Sequence, residues 1–222
     1  MKLQWSEMEK PSPVREEPSF LLSVGQTLLM KVVTTFYRRM VLVSRELHPP
    51  PPMPVVPSSV EIGSVGIPHD LSDLNGFRPS LSARSILERF ERGDDCFAVR
   101  LDGRIVHTAW VAFHRARVEY LSRDIMLERD DTYIFDTYTA PEFRSLHLAQ
   151  ARAAFVANYY SERGFRRSLG LVALENRAGL AVPEALGYRR IGYYSAFGVG
   201  RWRRTWSKPL EGKDIPLLVK MA

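Results

Sequence analysis

Residues 132–152 read TYIFDTYTAPEFRSLHLAQAR, and this stretch decides the fold. Residues 132–139 are rich in aromatic and β-branched side chains, which is typical of a strand. A polar turn that contains Pro141 follows, and apolar side chains then recur at helical spacing. Such a turn exposes backbone N–H groups at the positive end of a helix dipole. The stretch therefore predicts a phosphate- or pyrophosphate-binding turn between a strand and a helix.

The sequence on both sides of this stretch predicts a mixed sheet with helices. An Asp-Gly pair at residues 102–103 indicates a hairpin, because both residues tolerate a positive φ. The predicted strands are 39–47, 95–101, 104–113, 132–139, 167–174 and 188–197, and the predicted helices are 82–93, 146–163 and a short one that ends at 186. A hairpin followed by alternating strands and helices implies the α/β class, with helices on the faces of one sheet.

The composition favours one folded domain of 222 residues with flexible ends. The predicted parts are a flexible tail at 1–18, an amphipathic helix at 19–38, a domain at 39–208 with its core at 94–197, and a C-terminal tail at 209–222. A proline-rich loop at 49–57 is inserted in the domain, and its prolines favour an extended spacer or surface loop.

Cysteine usage and the N-terminal sequence bear on the compartment. The single Cys96 excludes an internal disulfide and lies in an apolar run, which predicts an inert core thiol in a reducing compartment. The N-terminus lacks the continuous apolar core of a signal peptide. We therefore expect a cytoplasmic protein, with a peripheral position on the inner membrane face as an alternative.

Positive charge is concentrated in the last third of the chain. Residues 144–208 contain 12 Lys and Arg residues against three acidic ones, within a net charge of +6. Apart from an ordinary basic surface, this pattern favours a phosphate-bearing cofactor, an acidic carrier protein or anionic lipid. Nucleic-acid binding is disfavoured, because the sequence has no zinc spacing, no basic region with heptads and no aromatic ribonucleoprotein pattern. The histidine spacing predicts no metal site.

The run Pro141-Glu142-Phe143-Arg144, followed by Ser-Leu-His-Leu-Ala at 145–149, resembles the signature of the GNAT acyl-CoA transferases. That signature is Pro-Glu-aromatic-Arg and then Gly-x-Gly-x-Gly or Ala. The likeness extends over residues 94–197 and includes residues 102–106, 175–178 and 186–188. It implies a GNAT-type mixed sheet in which two central strands splay apart, with helices on both faces.

The resemblance also implies the donor and its contacts. The donor is acetyl-CoA or another acyl-CoA, its pantetheine arm lies between the splayed strands, and an amine attacks the thioester directly. No metal is implied. The implied donor-binding residues are Tyr138, Thr139, Ala140, Arg144, Ser145, Leu146, His147, Leu148, Ala149 and Asn176.

Asp136 precedes the turn, where members of that family often place the group that accepts the amine proton. Strict alternation along the strand would put it on one face with Ile134 and Tyr138. A base would require a pKa raised towards neutrality by desolvation. The alternative, which stays open here, is a structural carboxylate that pairs with an arginine.

Two positions depart from the family pattern. His147 stands where a glycine is usual, so its side chain must point away from the phosphate path or that path must shift. Pro183 stands where the family often has a tyrosine that protonates the leaving thiolate. Tyr193 and Tyr194, on the last predicted strand, are the candidate substitutes.

Several alternatives for function and partners follow from these departures. The main hypothesis is an N-acyltransferase; the alternatives are a degenerate GNAT-fold binding or scaffold protein, and an enzyme that takes its acyl group from an acyl carrier protein. The amphipathic helix at 19–38 would pack on the domain, pack on a second subunit in a homodimer, or make weak contact with a membrane surface.

Overall fold

The computed structural model describes residues 37–199 and 202–221. The tail predicted at 1–18 and nearly all of the helix predicted at 19–38 lie outside the described residues. The last two residues of that predicted helix, Tyr37 and Arg38, are described, and they begin a β-strand. Their strand conformation follows from pairing with Phe197 and Ala196 of a later strand.

The described residues contain 11 strands and four α-helices. The strands are β1 (Tyr37–Glu46), β2 (Val60–Val65), β3 (Asp95–Leu101), β4 (Arg104–Ala112), β5 (Arg115–Val118), β6 (Arg123–Met126), β7 (Asp131–Thr139), β8 (Arg167–Ala173), β9 (Arg189–Val199), β10 (Trp202–Pro209) and β11 (Leu218–Lys220). The helices are α1 (Leu71–Phe77), α2 (Ala83–Glu91), α3 (Leu148–Ser161) and α4 (Arg177–Ala185).

Eight strands form one large mixed sheet in the order β10-β9-β1-β8-β7-β4-β3-β2. The β7–β8 pair is parallel, and the other pairs of this sheet are antiparallel. The strands β11, β6 and β5 form a second, small sheet. The first of the described strands, β1, lies inside the large sheet between β8 and β9, where both of its edges are hydrogen-bonded.

The predicted α/β class and the elements on both sides of the central stretch are confirmed. Asp102 and Gly103 both have positive φ, of 49° and 78°, as a tight hairpin turn requires. The hydroxyl oxygen of Ser82 accepts a hydrogen bond from the backbone N–H of Ser85 at 3.1 Å and caps α2. Gly93, just past the end of α2, has a φ of 81°.

Five strands and one helix of the structure are absent from the prediction: β2, β5, β6, β10, β11 and α1. Among them, β5 and β6 lie within residues 115–131, where the sequence predicted no strand, and β11 lies within residues 209–222, which were predicted as a tail. These strands have only three or four residues, too few to show a clear alternation. They are stabilised by packing, because the buried Leu121 and Ile125 contact the large sheet around Leu42 and Tyr133.

The two faces of the large sheet are covered by different elements. On one face, Leu74 of α1 and Ile86 of α2 pack against Trp110. The small sheet covers the rest of that face. On the other face, Val156 of α3 packs against Val111, and α4 packs against β1. Because neighbouring residues of a strand point to opposite faces, the side chain of Trp110 lies in the first layer and that of Val111 in the second.

The proline-rich loop joins β1 to β2 and rests against α3. The side-chain amide of Asn158 donates a hydrogen bond to the carbonyl oxygen of Pro51 at 2.9 Å. The hydroxyl of Ser161 is 3.0 Å from Nδ1 of His48. The loop is therefore attached to the domain at two points.

Candidate active site

The parallel strands β7 and β8 pair only at their beginnings. Residues 131–134 of β7 are in register with residues 167–170 of β8, and the pairing stops there. Beyond that point β7 pairs with β4 and β8 pairs with β1. One edge of residues 135–139 therefore faces a gap in the sheet, which we call the strand opening. The splayed pair of strands expected from the sequence is present.

The loop from β7 to α3, residues 140–147, lies beside the strand opening. Pro141–Phe143 form one 3-10 turn, and α3 begins at Leu148. The backbone N–H groups of residues 145–149 donate no hydrogen bond to any group in the described part of the chain. Consecutive free N–H groups at the start of a helix of 14 residues are a favourable environment for an anion.

Two residues of this loop have a left-handed backbone. Ser145 has a φ of 66° and His147 a φ of 56°. They occupy the first two glycine positions of the family signature, so the loop keeps the glycine conformation without the glycines. This conformation costs a non-glycine residue roughly 1–2 kcal/mol. The imidazole Nδ1 of His147 is 2.8 Å from Oε1 of Gln150, which holds the side chain on the first turn of α3.

The remaining predicted donor-binding residues surround the strand opening. Tyr138 and Thr139 belong to its free edge, and the N–H of Ala140 donates to the carbonyl oxygen of Val106 at 3.1 Å. The side chain of Arg144 is exposed, and its Nε lies 3.4 Å from the carbonyl oxygen of Thr139. Asn176 lies after β8 and caps α4, because its Oδ1 accepts from the N–H of Gly179 at 2.9 Å.

A β-bulge interrupts β7 at Asp136. Trp110 of β4 is opposite Phe135, while Thr108 is opposite Tyr138, so β7 has one extra residue between these pairs. Asp136 has a φ of 46°. The expectation that Asp136 shares a face with Ile134 is therefore wrong. Ile134 packs on the α3 side of the sheet, whereas Phe135 packs with Trp110 on the other side, where Asp136 meets Arg78 and Arg89.

The carboxylate of Asp136 is shared by two arginines. Nη1 of Arg78 donates to Oδ1, and Nη1 of Arg89 donates to Oδ2 at 2.5 Å. Each guanidinium also lies over aromatic rings, Arg78 over Tyr138 at 5.0 Å and Arg89 over Trp110 at 4.9 Å. Both carboxylate oxygens are thus engaged, which supports the structural role of Asp136 over proton acceptance.

The two candidate tyrosines are not on the strands that form the opening. Both are on β9, which is separated from β8 by β1. Tyr194 is buried on the face covered by the small sheet, and its hydroxyl donates to the carbonyl oxygen of Pro216 at 2.5 Å. Burial raises the pKa of its phenol. Tyr193 lies beneath the guanidinium of Arg39 at 4.3 Å. The hydroxyl of Tyr194 is therefore engaged elsewhere, whereas Tyr193 belongs to one cluster with Val172 of β8.

A buried polar group lies on the α3 side of the opening. Nδ1 of His107 is 2.7 Å from the hydroxyl oxygen of Thr139, and Nε of Arg152 donates to Nε2 of His107 at 3.2 Å. Burial, helped by the charge of Arg152, lowers the pKa of His107 to about 2. Burial lowers the pKa of Arg152 to about 10, which leaves it protonated at neutral pH.

Sequence reasoning gave no site role to Arg78, Arg89 or Arg152. The first two come from the end of α1 and the last turn of α2, far from Asp136 in the sequence. Arg152 counted only towards the basic excess of the C-terminal third. Arg152 could have been found from the sequence, because it lies among apolar residues of α3 such as Ala151 and Val156. A charged residue is unexpected on the buried side of a helix.

Three further observations concern the described part of the chain. Its His, Cys, Asp and Glu side chains form no group of three or more that could hold a metal ion. None of its helices is long and apolar enough to cross a membrane. Burial raises the pKa of the Cys96 thiol to about 12, and the side chain is 1% exposed, which agrees with an inert core thiol.

The two splayed parallel strands and the free N–H groups beside the opening agree with what the resemblance to the GNAT acyl-CoA transferases implies. The sequence profile of the acetyltransferase (GNAT) family matches residues 69–188, which is more than half of the chain. The chain belongs to the acetyltransferase (GNAT) family. A search of curated proteins gives no sequence match.

Solved structures share the fold at low sequence identity. A GCN5-related N-acetyltransferase from Sphaerobacter thermophilus has a TM-score of 0.55 at 15% identity, over 85% of this chain and 58% of that one. The glucosamine N-acetyltransferase region of a fungal multi-domain β-N-acetylglucosaminidase has a TM-score of 0.51 at 15% identity, over 87% and 23%.

AAC(6')-Iy, solved with the bisubstrate analog CoA-S-monomethyl-acetylneamine, has a TM-score of 0.50 at 17% identity, over 66% of this chain and 98% of that one. Other matched structures are longer than this chain, which spans between 58% and 66% of them. At these identities the likeness establishes the shared fold.

Proposed function

We propose that this chain is an N-acyltransferase that moves an acyl group, acetyl in the first instance, from coenzyme A to an amine. The observation that supports this most directly is the run of free N–H groups at residues 145–149, beside the free edge of residues 135–139. The loop offers donors for the pyrophosphate, and the strand edge offers backbone groups for the pantetheine arm. Family membership supports the same chemistry.

The reaction needs no covalent intermediate on the protein. The nitrogen of a neutral amine attacks the carbonyl carbon of the thioester, a C–N bond forms, and the C–S bond breaks. The leaving thiolate takes a proton, and the new amide nitrogen loses one. Holding the two reactants in contact supplies much of the rate enhancement. Pro183 lies within α4 and has no proton to give, so solvent is the proton source that we propose for the thiolate.

The experiment that tests donor binding uses Ala149, the last residue of the free-amide run. In Ala149→Glu, a carboxylate at the phosphate position should abolish coenzyme A binding by calorimetry. The matched control is Ala83→Glu, which places the same side chain in the first turn of α2, away from the loop. Unchanged coenzyme A affinity in Ala149→Glu would refute the donor site at this loop, whereas a wild-type chain that binds no coenzyme A would favour the scaffold alternative.

Partners and location form a second part of the proposal. A cytoplasmic enzyme with a basic C-terminal third would attract acidic carrier proteins as well as coenzyme A. Thiol release from acetyl-CoA and from an acetylated carrier protein, measured with the same amine, separates the two donors. Gel filtration of the full chain at several concentrations tests the homodimer that the segment before β1 would form.

A further inference from the structure

The group formed by Arg78, Arg89 and Asp136 carries one more positive than negative charge. It lies on the face of the sheet that carries α1 and α2. Its side chains are between 16% and 24% exposed, so it is neither sealed in the core nor freely hydrated. A surplus charge in such a position interacts strongly with an anion, because water screens it only in part.

The surplus is not cancelled by the neighbouring carboxylates. Asp94 has its own partner, Arg92, at 2.7 Å, and Asp70 is paired with Arg100 at 2.6 Å. Within the described residues, the side chains of Arg78 and Arg89 form no hydrogen bond other than the ones to Asp136. Each guanidinium has five N–H groups, so most of its donors remain available.

The aromatic contacts fix how these guanidinium groups are presented. Arg78 lies over the ring of Tyr138, and Phe77 meets the same ring edge-on at 5.5 Å. Arg89 lies over both Trp110 and Phe135. Stacking occupies the flat face of a guanidinium and leaves its edge free, and this edge carries the fork of N–H groups that matches a carboxylate.

The position of the group relates it to one of the two reactants. The β7–α3 loop lies at the start of α3, so a donor held there reaches the strand opening from the α3 side. Asp136 is at the bulge, where the open part of β7 begins, and its arginines are on the opposite face. A molecule that approaches the thioester from that face passes the two guanidinium groups.

We propose that Arg78, oriented by Asp136 and supported by Arg89, binds a carboxylate of the amine acceptor. The acceptor is then an amino acid or another amine that carries a carboxylate. This inference rests on the proposed function, and it names the acceptor class. The surplus charge has a second effect in the same direction, because it disfavours an ammonium ion nearby and thus favours the neutral amine that attacks the thioester.

The test measures the binding of product-like probes without turnover. N-acetylglycine, N-acetylphenylalanine and N-acetylglutamine are titrated into the full chain by NMR, each beside its carboxamide, with and without coenzyme A. We expect at least one acid to bind about tenfold more tightly than its amide, which is the gain of a charge-assisted hydrogen bond. Equal binding of acid and amide in all three pairs would overturn the proposal.

Three variants assign the effect to Arg78. Arg78→Gln should reduce the acid-to-amide ratio to below about twofold, and Arg78→Lys, which keeps the charge but loses the fork, should give an intermediate ratio. Arg84→Gln is the matched control, because Arg84 is 89% exposed and pairs with Glu88 of the same helix. A ratio that survives Arg78→Gln, or that falls equally in Arg84→Gln, would contradict the assignment. Thermal unfolding of each variant confirms that it is folded.

The donor experiment and this one fail separately. If the chain binds no coenzyme A and releases no thiol with any amine, the proposed function is wrong. The titrations without coenzyme A still decide whether a carboxylate site exists at Arg78. If coenzyme A binds and acids show no preference over amides, the acyltransferase proposal stands and the acceptor class is wrong.

Discussion

The Nε–H of Arg152 points at Nε2 of His107 over 3.2 Å, and both side chains are buried. Because arginine can only donate, Nε2 must be the unprotonated nitrogen of the imidazole. The ring proton is therefore on Nδ1, which donates to the hydroxyl of Thr139 at 2.7 Å. This chain of hydrogen bonds ties α3 to β4 and to the end of the open edge of β7.

His107 should make the stability of the protein depend on pH. Its pKa is about 2 in the folded chain and 6.5 as a reference for the unfolded chain, so the unfolded state binds one more proton between these values. Stability is fully present above pH 6.5 and should fall by about 1.4 kcal/mol for each pH unit below it. Urea unfolding of the wild type and of His107→Gln at pH 7, 6 and 5 measures the difference in slope. Glutamine can make both hydrogen bonds without titrating, and parallel curves would contradict the prediction.

His147→Gly should stabilise the β7–α3 loop relative to His147→Ala. Both variants lose the contact with Gln150, but only glycine adopts a φ of 56° without a Cβ penalty. We expect glycine to be more stable than alanine by about 1 kcal/mol in urea unfolding. Coenzyme A affinity should be retained in the glycine variant, since the N–H groups stay in place. Alanine equal to glycine would show that the left-handed conformation carries no strain.

Asp136→Asn should lower the free energy of unfolding, because Asp136 has a structural role, and should not lower the rate as the loss of a general base would. The change leaves two guanidinium groups around a neutral amide, and for partly exposed side chains we expect a loss of about 2 kcal/mol. Asp130→Asn is the control, because its ion pair with Arg166 is 43–49% exposed and should contribute less than about 1 kcal/mol. A general base would behave differently: stability would be kept while the rate fell by about 100- to 10,000-fold. That outcome would return Asp136 to the role of proton acceptor.

The full chain should associate with anionic vesicles only weakly, and rising salt should abolish the association. Each basic residue near an anionic surface contributes about 1 kcal/mol, and exposed charges are screened beyond about 10 Å at ~0.1 M salt. Sedimentation with phosphatidylserine vesicles, compared between the full chain and a deletion of residues 1–36, assigns the contact. The deletion ends before Tyr37 because β1 begins there. If the deletion variant stays folded and still sediments, the first 36 residues are not the anchor.

Much of the fold was predictable because its signals are local. The hairpin turn depends on Asp102 and Gly103, the start of α2 on Ser82, and the β7–α3 loop on the run after Pro141. Each of these acts within a few residues. The position of β1 was not predictable in this way, since nothing in its own sequence says that it separates β8 from β9.

The candidate site was predictable only in part, for the same reason. The donor loop follows from one continuous segment. The residues around Asp136 belong to α1 and α2, which are distant in the sequence. A bulge of one residue in β7 also shifts the alternation of faces from which side-chain direction is predicted. Tyr194 was a candidate proton donor because it is a tyrosine on a strand. Its hydroxyl instead donates a hydrogen bond to the carbonyl oxygen of Pro216, a contact that the sequence does not predict.

The place of β1 in the large sheet affects how the chain folds as it is synthesised. Among the described strands β1 leaves the ribosome first, but its two hydrogen-bonding neighbours, β8 and β9, begin only at Arg167 and Arg189. The apolar face of Val41 and Val43 therefore has no partner until more than 120 further residues have been made. Until then both edges of β1 lack hydrogen-bonding partners, so the nascent chain is prone to aggregation and to binding by holding chaperones. Production of this protein should benefit from low temperature, which weakens hydrophobic association, and from an added supply of holding chaperones.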